Sequence, residues 1–77
     1  MDVKNELQSV FRDVFDDDSI ELFNEMTAAD IEDWDSLSHV QLIVAIEKYF
    51  KLKFSTGDIM NLKNVGEMIA LIERKLN

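Results

Sequence analysis

Val3, Leu7, Val10, Phe11, Val14 and Phe15 recur at the i, i+3, i+4 interval of one helical face, and polar residues fill the other. The run "DDDS" at 16 to 19 stops this pattern and ends a first helix. A long, mostly acidic connection follows, as far as Trp34. Its apolar residues Ile20, Leu22, Phe23, Met26 and Ile31 are expected to dock it onto the core. Within it, Thr27 and Asp30 have the spacing of a capping box, which predicts a short turn of helix. A second helix is expected from about Ser36 to Phe50. "KLKFS" (51 to 55) then alternates charged and apolar residues and reads as an extended link. Ser55 is placed to cap a short helix running through Asn61. Asn64 and Glu67 form a further capping box ahead of a last helix, whose apolar stripe is Val65, Met68, Ile69, Ile72 and Leu76. The pattern predicts an all-α fold: a small bundle of three main helices plus one short helix, with a long first loop, in a single domain over residues 1–77.

The second helix carries two apolar stripes. At 100° per residue, Leu42, Ile46, Tyr49 and Phe50 fall together and are expected to face the core. Leu37, Val40 and Val44 fall on roughly the opposite side, bordered by Ser36 and Glu47 on one edge and by Lys48 on the other. A helix apolar on two sides is either buried all round or offers one side to a partner. Full burial is hard in a chain of 77 residues, which hides only about 60% of its unfolded surface.

Composition narrows the class. There is no cysteine and no proline, and only two glycines, which suits helices and excludes a disulfide framework or a cysteine metal site. Residues 1–36 hold twelve acids against Lys4 and Arg12, a net of −10, and the remainder is +2, which together give −8. An acidic front half repels nucleic acid and anionic lipid and attracts basic protein surfaces. The alternative is a solvated face that serves solubility alone. The amino terminus carries acids and no long apolar run, so neither a signal peptide nor a membrane span is expected. The expectation is a soluble, monomeric, cytoplasmic domain.

Ser36, within "EDWDSLSH" (32 to 39), opens the second helix. Asp35 or Ser36 is the expected N-cap. If Asp35 caps, Ser36 is free to point outward as a handle for modification, at a helix end that favours anions. His39, three residues on, makes a serine–histidine dyad conceivable. The chain has no second histidine, no glycine nearby for an oxyanion loop and little length for a pocket, so an exposed helical histidine is the expectation. An EF-hand starting at Asp16 would want glycine sixth and glutamate twelfth, where Glu21 and Thr27 stand, so no metal site is expected.

The string Trp34-Asp35-Ser36-Leu37, the following "VQLIVAIEKYF" (40 to 50), "KFS" (53 to 55) and "LKNVGEMIALIE" (62 to 73) resemble the acyl carrier protein family, with its related peptidyl carrier domains. The resemblance covers nearly the whole chain. It implies a carrier that is not itself an enzyme. It further implies that a phosphopantetheinyl transferase attaches 4′-phosphopantetheine from coenzyme A to Ser36. The arm's thiol would hold acyl or aminoacyl groups as thioesters, supplying the sulfur that the chain lacks. Partners would be that transferase, an acyl- or aminoacyl-loading enzyme, and synthases or acyltransferases. The family's docking surface includes the middle helix, which points to Leu37, Val40, Val44 and Glu47, with Asp33 and Asp35 at its start. Ser38, Gln41 and Lys48 stand where fatty-acid carriers usually place acids, and Lys51 stands where many relatives have glycine. These departures point to a specialised biosynthetic pathway, with a housekeeping fatty-acid carrier or an unmodified acidic adaptor as the alternatives. The helix is also expected to lack the usual left-handed glycine cap.

Overall fold

In the computed structural model, which describes residues 2–60 and 62–76, four α-helices and one 3₁₀ turn follow one another: α1 (Val3–Phe15), the 3₁₀ turn (Ala28–Asp30), α2 (Ser36–Phe50), α3 (Thr56–Met60) and α4 (Val65–Leu76). The described residues contain no strand. The main helices begin and end where local chemistry says they should. Asp2 caps α1 by accepting from the N–H of Asn5. Asp16 ends that helix in the left-handed conformation, which aspartate tolerates better than most residues (φ 50°). Ser55 and Asp58 exchange hydrogen bonds at the start of α3. Asn61, to which this helix was expected to extend, lies outside the described residues.

The core sits where α1, α2 and α4 meet. Leu7, Phe11, Leu42, Ile46, Val65 and Ile72 have no more than trace exposure. At about 25 cal/mol per Å² of apolar surface, such burial is the main term holding so small a bundle together. The long connection is tied to its neighbours by the polar groups that helices leave over. Gln8 Oε1 accepts from the N–H of Leu22 (2.9 Å), and Arg12 Nε donates to the carbonyl of Ile20 (2.9 Å). The first N–H groups of α4 have no partner within their own helix. Val65 and Gly66 donate theirs to the carbonyls of Met26 (2.9 Å) and Asn24 (2.8 Å). A side chain at 66 would place its Cβ 3.0 Å from the Asn24 carbonyl oxygen, so this close approach favours glycine.

Several expectations change. Ile20, Leu22 and Met26 are buried as expected, but Phe23 is exposed. In the last helix Leu71 is buried and Leu76 is exposed. Tyr49 leaves the core face of α2: its ring packs edge-on against Phe50 and its hydroxyl donates to the Glu6 carboxylate of α1. Ile43 takes the buried side instead. Lys51 does adopt the left-handed cap that its side chain was expected to prevent (φ 56°), with its N–H bonded to the Glu47 carbonyl. Lysine bears there a strain of roughly 1 kcal/mol that glycine avoids. At α4, Asn64 caps through the N–H of Glu67 (2.8 Å), but the Glu67 carboxylate reaches back to the N–H of Lys63 rather than to that of Asn64.

Candidate functional site around Ser36

The start of α2 is built so that Ser36 is not needed to hold it. Asp35 is the N-cap: its Oδ1 accepts from the N–H of Ser38 (2.9 Å), and Ser38 Oγ accepts from the N–H of Asp35 (2.8 Å). The Ser38 hydroxyl hydrogen has the carbonyls of Asp33 (2.8 Å) and Asp35 (3.2 Å) within reach. The Ser38 backbone N–H, and then its hydroxyl, hold the Asp35 carboxyl below the usual carboxylate range. Ser36, the first residue of α2, is exposed, and its hydroxyl has no hydrogen-bond partner among the described residues. The reciprocal role of Ser38 was missed in the sequence, although Asp-x-x-Ser is a variant of the capping-box spacing.

The exposed stripe of α2 runs away from Ser36. Leu37 is 70% exposed, Val40 60% and Val44 42%. Asp33 and Asp35, just before α2, are exposed as well, and Asp35 also borders the cleft beside Ser36. Glu47 is placed differently. It is half-buried, and its Oε2 accepts from the N–H of Phe54 (2.8 Å), which ties the link after α2 back to the helix.

Ser36 also borders an open cleft of about 460 Å³. Trp34, Ser36 and His39 form one wall, and Leu62, Asn64 and Met68 belong to the other. Trp34 is anchored by Phe11, which it meets edge-on (centroids 5.3 Å apart, 85°), and by Phe15 (6.2 Å). Its Nε1–H donates to His39 Nδ1 (3.1 Å). His39 is therefore a half-buried partner of the tryptophan, not the exposed residue expected, and burial lowers its pKa below the ordinary 6.5. The pairing was hidden because Trp34 precedes the helix, so helical spacing does not relate it to His39. Among the described residues no cluster of acids and histidines could hold a metal ion, and no helix is long and apolar enough to cross a membrane.

A family model described as a phosphopantetheine attachment site matches residues 5–72. Among solved structures, the solution structure of the holo acyl carrier protein from Geobacter metallireducens superposes with a TM-score of 0.93 at 50% sequence identity. The match covers 99% of this chain and 87% of that one. No curated protein matches the chain.

Proposed function

The chain belongs to the acyl carrier protein family, a family of carriers rather than enzymes, and from that membership we propose that Ser36 is the point at which its 4′-phosphopantetheine is attached. The observation that carries this is the division of labour at the start of α2. Asp35 and Ser38 hold the helix end, and the Ser36 hydroxyl is exposed and uncommitted. The residues fit the group. A phosphodiester at the first helical position meets backbone N–H groups and the positive end of the helix dipole. When attached, the arm supplies the thiol that carries acyl groups as thioesters, in a chain with no cysteine of its own. The rest of the chain presents the arm to successive enzymes and keeps the cargo at high effective concentration beside whichever one has docked.

Docking falls to Leu37, Val40 and Val44, with Asp33 and Asp35 next to the attachment point and Glu47 at the far edge. The partners are a phosphopantetheinyl transferase, an acyl- or aminoacyl-loading enzyme, and a synthase or acyltransferase. The chain works as one cytoplasmic carrier unit. Ser38, Gln41 and Lys48 leave α2 without the acidic ridge of fatty-acid carriers, which favours a specialised acyl or aminoacyl pathway.

The test is intact-mass spectrometry after incubation with coenzyme A and a broad-specificity transferase. The wild-type chain should gain one phosphopantetheine. Ser36→Ala should gain none while staying helical, because Asp35 still caps. Modification mapped to Ser9, Ser19, Ser38 or Ser55 would refute the assignment. For the pathway, converting Ser38, Gln41 and Lys48 to Glu should improve turnover by fatty-acid synthesis enzymes, most clearly at low salt, since rim charges act on encounter rate. Ser38→Glu preserves the cap, because glutamate is the usual third residue of a capping box. A wild-type chain that already matches a fatty-acid carrier with those enzymes would return the protein to the housekeeping pathway.

A further inference from the structure

His39 is tied up at one nitrogen and open at the other. An indole N–H only donates, so the bond from Trp34 Nε1 requires an unprotonated Nδ1, and the neutral ring carries its hydrogen on Nε2. No described residue accepts from that Nε2. No side-chain nitrogen or oxygen among the described residues is both buried and unpartnered, so Nε2–H reaches solvent. The ring lies nearly parallel to Trp34 (centroids 6.0 Å apart, 18°), which Phe11 and Phe15 fix from α1. The donor is thus set in orientation by the core. It stands one helical turn after Ser36 and lines the same cleft.

Against the favourable helix end, the side-chain charges around an anion on Ser36 are unfavourable, since Glu32, Asp33 and Asp35 lie close before it. The charged residues lining the cleft are Asp35 and, from the opposite wall, Lys63. The 3₁₀ turn contributes only Ala28, α4 contributes Met68, and α1 meets Trp34 with uncharged rings. A neutral, oriented N–H between these walls can donate to an anion at neutral pH.

We propose that His39 is a positioning residue for the prosthetic arm: its Nε2–H, aimed by Trp34, donates to the phosphodiester carried on Ser36 and holds the base of the arm against the cleft. This rests on the Ser36 assignment. A fixed base narrows the directions in which the arm leaves the helix, toward the cleft and the exposed stripe beside it. It also links the arm to protons. A phosphodiester within hydrogen-bond reach favours the imidazolium, so loading opposes the effect of burial on His39.

The experiment follows the His39 ring by NMR titration on the full chain, before and after loading with coenzyme A and transferase, with intact mass confirming the loaded state. The apparent pKa of His39 should rise on loading by roughly one unit, as for an opposite charge brought into contact. The phosphorus-31 resonance of the loaded chain should titrate with the same midpoint. In His39→Gln, which keeps a donor but does not titrate, that resonance should lose its pH dependence near neutrality and keep its wild-type position at pH 7. In His39→Phe it should move to the position seen in an unstructured phosphopantetheinyl peptide. Equal His39 midpoints in the two wild-type forms overturn the proposal, and that comparison decides even where a variant fails to fold. A chain that gains no mass at Ser36 removes the premise instead, so the two failures are told apart.

Discussion

The two apolar faces of α2 are made of similar residues and meet opposite fates. Leu42, Ile43, Ile46 and Phe50 are buried, whereas Leu37, Val40 and Val44 stay exposed to water. Nothing in the side chains themselves separates the two sets. The difference lies in what the rest of the chain can reach. The connection between α1 and α2 is long enough to have covered the second face, but its hydrogen bonds run elsewhere, to Gln8 and Arg12 of α1 and to the first N–H groups of α4. Those bonds satisfy backbone groups that would otherwise be lost to a helix end, so the loop is held against α1 and the start of α4. An uncovered apolar stripe beside an uncommitted serine is what a carrier that docks and departs requires, and here the placement of a loop leaves it so.

The contrast can be broken most forcefully on the buried side. Ile46→Ala, at a site with no exposure, should lose roughly 2–5 kcal/mol in denaturant unfolding, a large share of what so small a bundle has. At the end of the same helix the sign reverses. Lys51→Gly should gain up to roughly 0.5 kcal/mol, because glycine adopts the left-handed cap without strain, less its own loss of chain entropy. On the exposed side, Val40→Ala and Val44→Ala should move stability by less than about 0.5 kcal/mol while slowing turnover by partner enzymes. Unfolding of either variant would show that the stripe belongs to the core.

The gentlest test is acid. Asp35 and His39 both have folded pKa values below their ordinary ones, Asp35 through hydrogen bonds from Ser38 and His39 through burial. Each therefore contributes stability that is whole above the ordinary value. That contribution is lost as the pH falls through the lower folded one. The His39 part should fade below pH 6.5 and the Asp35 part below pH 3.8. Thermal melts across this range should show both steps. His39→Gln should flatten the first, and Asp35→Asn, which keeps a capping oxygen, should reduce the second, to which Asp17 and Asp58 also contribute.

How much of this the sequence disclosed depends on the range of the interaction. The limits of α1 and α2, the box at Thr27 and Asp30 and the Ser55 cap were legible because each rests on a spacing of a few residues along one helix. The place of Ser36 at the start of α2 and the exposed Leu37, Val40 and Val44 stripe were legible for the same reason. Tyr49 was misplaced because the helical wheel gives the width of a buried face but not its centre, which α1 sets through Glu6. Lys51 was misjudged because a single-residue preference of roughly 1 kcal/mol yields when the helix end must be closed. Phe23 was misplaced because hydrophobicity does not say which residues of an irregular segment turn inward.

By itself, the sequence determined an acidic all-helical bundle with a serine at the head of its middle helix and two apolar stripes along it. Periodicity, capping and charge act between near neighbours and are written in order along the chain. Only the tertiary structure decided which stripe is covered, that Trp34 and His39 share a hydrogen bond, and that Leu62, Asn64 and Met68 close a cleft beside Ser36. Each of those depends on side chains meeting across elements whose mutual placement is set by packing the whole core at once, and no local spacing encodes that.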